Sequence, residues 1–129
     1  MNPTLNHINL WMAWIGILLG LLSGALIGLF FHRDEWLGGY GSWRRRLLRL
    51  GHISFFGIAF LNLAFANTVS LAGATAPAFA AWSLVAGAVL MPAICFLAAW
   101  RPSFRHLFFL PVVALISGAV GLLAGEVLP

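Results

Sequence analysis

Four long apolar runs occupy most of this chain, and they constrain its fold more than any other feature. A helix needs roughly 20 apolar residues to cross the ~30 Å hydrocarbon core of a bilayer. Runs of that length lie at about residues 8–31, 51–72, 78–100 and 107–127. The connections are short, so consecutive helices should be antiparallel neighbours. The expected fold is therefore an all-α, four-transmembrane-helix antiparallel bundle forming a single membrane domain over residues 1–129. Composition agrees: 8% of residues are charged, against about a quarter in a soluble domain. The first run is too long for the apolar core of a signal peptide, and no Lys or Arg precedes it, so it is expected to be a retained span.

All seven basic residues are arginines, and their placement sets the expected topology. Arg33, Arg44, Arg45, Arg46 and Arg49 lie between spans one and two, and Arg101 and Arg105 between spans three and four. Positive charge is retained on the cytoplasmic side. Both termini should then lie outside, in a bacterial inner membrane. The net charge of +4 flanks apolar spans, so it reads as topology signal and headgroup contact rather than as a nucleic-acid surface. Residues 32–50 form an amphipathic cytoplasmic connection. Gly38-Gly39-Tyr40-Gly41 should turn, and Ser42 is placed to cap a helix running through the arginines into span two.

Small residues dominate one face of two spans. Gly16, Gly20, Gly24 and Gly28 recur every four residues, as do Ser117, Gly121 and Gly125. This spacing lets backbones approach closely. The expectation is that spans one and four pack on each other or on a second protein. Pro92, within span three, should kink its helix and free a carbonyl near Ala88.

Polar residues inside a membrane are expensive and therefore candidates for function. Span two holds His52, Asn62 and Asn67. On a helix of about 100° per residue these share an arc of roughly 140°, expected to face the bundle interior. His32, His52 and His106 all lie toward the arginine side. Two imidazoles on different helices at one depth are what a haem b needs, with arginines for its propionates. His52 with His106 or His32 would supply the ligands, and Arg45, Arg49 or Arg105 the cations. The stretch Arg49-Leu50-Gly51-His52-Ile53-Ser54-Phe55-Phe56-Gly57 resembles the helix of haem–copper oxidase subunit I that brings a histidine to a haem just after a basic turn. The resemblance covers under a tenth of the chain. It implies haem ligation by His52 without oxygen chemistry, since no copper-binding histidine cluster is present. The plainer reading of a histidine near the interface is a hydrogen bond to a headgroup, a carbonyl or water. A metal site is a further reading, drawing on His52 and His106 with His32, Asp34 and Glu35.

Other classes find less in the residues. The lone Cys95 cannot form an intrachain disulfide, which excludes a thiol oxidoreductase that works through cysteine pairs. No glutamate lies in span one, as four-span multidrug exporters require. Gly39-Tyr40-Gly41 lacks the flanking residues of a potassium filter. No nucleophile–base pair is visible, and Asp34 and Glu35 are expected to pair with nearby arginines. The function expected is a non-catalytic accessory subunit of a larger membrane assembly, respiratory or electron-transferring if His52 holds haem b. Its partners would be the bilayer and other membrane subunits or copies of itself. The alternative from a different class is an independent oligomeric channel or carrier using the Asn62/Asn67 face.

Overall fold

A computed structural model describes the backbone of residues 3–125 and side chains from His7 onward. Its regular elements over that range are all helices. Helix α1 spans Pro3–Phe30, α2 Trp43–Leu71, α3 Ala78–Trp100 and α4 Phe109–Ala124. All four lie in segments long and apolar enough to cross a membrane. The end of the expected fourth span, with Glu126, lies outside the described residues.

The connection between α1 and α2 turns as its glycines require. Gly38 and Gly39 have φ of 87° and 91°, where a side chain would be strained. Ser42 then adopts an extended conformation, and its Oγ accepts the Arg45 amide at 3.2 Å. That cap starts α2 at Trp43, eight residues before its apolar run. The α3–α4 connection is a 3-10 segment, Pro102–Leu107, so Arg105 and His106 sit on a tight turn rather than on α4. Helix α3 runs unbroken through Pro92, which is buried.

Each helix packs chiefly on its neighbour in sequence, and α1 also touches α3. Helices α2 and α3 form the centre, and α1 and α4 flank it with much less of their surface buried. Two apolar clusters close the ends of this open bundle. Leu47, Ala98 and Ala99 pack with Phe104 and Phe108 at the arginine end. Phe65, Val69, Ala80, Ala81 and Leu84 pack with Leu115 and Leu122 at the far end.

The glycine faces are used, but between different helices than expected. Spans one and four do not pair. A Cβ at Gly16 would stand 2.9 Å from the Ala59 Cβ, and one at Gly20 or Gly24 would meet Phe56 or His52, all on α2. Gly28 faces open space. On α4, Cβ atoms at Gly118, Gly121 and Gly125 would meet Leu84, Ala80 and Pro77, on α3 or at its N-cap. Ser117, beside them, is half-buried. Each smooth face therefore receives the adjacent antiparallel helix, because a short loop delivers that helix first.

Candidate functional site

The buried and half-buried polar side chains fall into three centres along the bundle. At the far end, Asn9 and Asn62 are both 0% exposed. Asn9 Nδ2 donates to Asn62 Oδ1 at 2.7 Å and to the Ala81 carbonyl at 3.1 Å. Asn62 Nδ2 donates to the carbonyls of Ile58, at 3.0 Å, and Leu84, at 3.4 Å. Two amides thus tie α1, α2 and α3 together at one level. Asn9 Oδ1 alone has no donor. Sequence reasoning passed over Asn9, although a signal existed. Asn9 lies 21 residues before the end of α1 and Asn62 19 residues after the start of α2. At about 1.5 Å per residue, antiparallel helices bring these to nearly equal height. Asn67, by contrast, is exposed. The expected polar face of Asn62 and Asn67 therefore does not exist as an interior surface, because their ~140° separation exceeds the ~100° stripe one seam covers.

Midway toward the arginine end, His52 is wedged in the α1–α2 seam. Its Nδ1 lies 3.1 Å from Ser23 Oγ, and that hydroxyl also lies 3.1 Å from the Gly20 carbonyl. A hydroxyl has one proton to give. With that proton on the Gly20 carbonyl, Ser23 accepts from His52, which places the imidazole proton on Nδ1. The Phe56 ring meets the imidazole edge-on at 5.5 Å. The Cε1 edge lies against α1, where a Cβ at Gly24 would come 2.6 Å from Cε1 and 3.2 Å from Nε2.

At the arginine end, Arg45 is 2% exposed. Nη2 donates to the Phe31 carbonyl at 3.1 Å, and Nη1 reaches those of Arg33 and Asp34 at 3.4 Å. The rings of Phe31, Tyr40 and Trp36 surround it at 4.8, 5.4 and 5.6 Å. The last carbonyls of a helix have no partners within it and carry the negative end of its dipole. Arg45, from another helix, binds carbonyls just past that end and sets its charge beside it. Arg49 stacks over Tyr40 at 4.1 Å and donates to its carbonyl at 3.3 Å. Asp34 meets Arg45 through its main-chain carbonyl, not through the expected ion pair. Trp43 Nε1 donates to the Ala98 carbonyl at 3.0 Å, fastening the start of α2 to the end of α3.

These residues do not fit a haem b. The nitrogen-bearing edges of His52 abut Ser23 and the α1 backbone, where a macrocycle would have to stand. His32 and His106 are exposed, one beyond the end of α1 and one on the 3-10 turn. Arg45 and Arg49 are spent on loop carbonyls rather than held open for propionates. Metal ligation fares similarly: among the described residues no three His, Cys, Asp or Glu side chains converge as ligands. Cys95 is fully buried between α2 and α3, where it acts as a small apolar residue. What the arrangement does chemically is join helices. Comparison with known protein families, characterised proteins and solved structures finds no match to this chain.

Proposed function

We propose that the protein is a multi-pass protein of the bacterial cytoplasmic membrane, with its arginine loops inside and both termini outside, acting as a non-catalytic accessory subunit of a larger membrane assembly. Orientation rests on the positive-inside rule, since both arginine-bearing connections lie at one end of the bundle. The observation that carries the functional reading is how polar groups are used. Asn9, Asn62, His52, Arg45 and Trp43 each bond to another helix or to a loop carbonyl. Meanwhile α1 and α4 leave Leu18, Leu21, Ile116 and Val120 uncovered on the two outer flanks. A rigid unit with two open apolar flanks and little mass outside the membrane is built to be packed against.

Photo-cross-linkers at Leu18, Leu21, Ile116 and Val120, activated in the native membrane, test this reading. The expected result is a discrete adduct to one larger membrane protein from at least one flank. Adducts only between copies of this chain, together with ion conduction by the purified protein in liposomes, would establish the channel reading instead. Cysteine mapping in a Cys95→Ala background tests the orientation. A cysteine at residue 34 should label only from the cytoplasmic side, and one at residue 75 only from outside.

A further inference from the structure

Three cavities share lining residues, two of them in the groove between α1 and α3 and the third between the start of α2 and the end of α3. The far one, about 350 Å³, is lined by Met12, Gly16, Ala59, Ala88 and Pro92. The middle one, about 520 Å³, lies among Leu19, Leu26, Phe30, Trp36 and Leu48. The third, about 290 Å³, opens between Leu37, Arg44, Ala99 and Trp100. Phe96 lines all three. It lies over Gly51, whose added Cβ would come within 2.8 Å of it, and beside Phe55 at 5.9 Å.

The groove follows from the packing already described. Asn9 holds α1 against Ala81 of α3 at the far end. Toward the arginine end, α1 instead follows its glycine seam on α2 and leaves α3. The gap between them is floored by α2 and Phe96. From Met12 to Phe30 it extends about 27 Å at ~1.5 Å per residue, close to the ~30 Å hydrocarbon thickness. Its walls are apolar apart from Ser23, until they reach Arg44. Arg45 and Arg49 bond to loop carbonyls. The Arg44 side chain makes no hydrogen bond among the described residues, and it lines the mouth together with Trp100.

We infer that this groove is a binding site for one anionic phospholipid, an acyl chain lying over Phe96 and the phosphate resting on Arg44. The shape admits a chain, and the single cation at the mouth, with no acid in any wall, complements a phosphodiester.

Native mass spectrometry on protein from nanodiscs of mixed phosphatidylglycerol and phosphatidylcholine tests this directly. The wild type should retain one phosphatidylglycerol in preference to phosphatidylcholine. Arg44→Gln should cut that preference roughly fivefold. Arg46→Gln, an exposed arginine outside the groove, should leave it unchanged. Phosphatidylglycerol with a photoreactive acyl chain should label Phe96 and Leu48. An undiminished preference in Arg44→Gln overturns the headgroup site. Labelling confined to the outer flanks, at Leu18 and Val120, reduces the lipid to ordinary solvent and overturns the groove. So does a partner helix cross-linked to Phe96 in place of lipid. Both arginines are exposed, so neither variant threatens the fold.

Discussion

Alanine in place of each glycine of α1 discriminates the seam described here from a merely glycine-rich helix. At Gly16 the new Cβ would lie 2.9 Å from the Ala59 Cβ and 3.2 Å from the Phe55 carbonyl oxygen. Both atoms are fixed to the α2 backbone, so no rotamer change relieves the contact. Carbon atoms rest at about 3.5–4.0 Å, which requires α1 to move outward by roughly 0.6–1 Å. Overpacking of that kind costs about 1–3 kcal/mol. The displacement also strains the 2.7 Å Asn9–Asn62 bond two turns away. At Gly20 and Gly24 the new atom meets the Phe56 ring and the His52 imidazole, which can rotate, so the cost should fall to about 1 kcal/mol. Leucine at either position should prevent assembly. At Gly28 nothing lies within 4 Å, and alanine should be neutral or slightly stabilising through its better helix propensity. The assay is reversible unfolding in mixed dodecylmaltoside–SDS micelles, followed by circular dichroism. Equal effects at Gly16 and Gly28, or four neutral substitutions, would refute the α1–α2 seam.

Three further outcomes are expected. A double-mutant cycle of Asn9→Ala and Asn62→Ala, read by the same unfolding, should give a coupling of about 0.6–1.7 kcal/mol, and a value indistinguishable from zero would deny the amide pair. Arg45→Ala should cost roughly 2–4 kcal/mol, since it frees the Phe31, Arg33 and Asp34 carbonyls and removes a buried cation from three rings; the exposed Arg46→Ala should stay within about 0.5 kcal/mol. Protein purified with haem supplied should show no Soret band, and a reduced α-band lost in His52→Ala would overturn the reading of His52 as a seam residue.

Much of the fold was legible because crossing a membrane is a one-dimensional requirement. Length and hydropathy put the first three helix ends at residues 31, 72 and 100, against observed ends at Phe30, Leu71 and Trp100. Ser42 announced the start of α2 through its place after the glycine turn. The fourth helix was less visible, because nothing in the apolar pattern separates the 3-10 turn before Phe109 from the α-helix after it. Helix partnership was not legible either. A four-residue glycine period says that one face is smooth, not which neighbour fills it, so spans one and four looked alike and complementary. Asn67 and Asn62 were equally polar on paper, but only one direction from α2 points at both α1 and α3. Arg45 was one of five loop arginines. Its burial follows from Phe31, Trp36 and Tyr40 closing around it, which depends on the loop path and not on spacing.

The arginine closing the end of α1 has a consequence for how the chain is made. The carbonyls of Phe31 and Asp34, just past the first helix, wait on a side chain fourteen residues after Phe31, and until then they must keep water or headgroups as partners. The first two helices therefore reach their final state as one hairpin, completed only after residue 45 has left the ribosome. The fourth helix, resting on the third, joins a body whose internal fastenings are already in place, so truncation before residue 102 should leave a three-helix product with all of its polar ties intact.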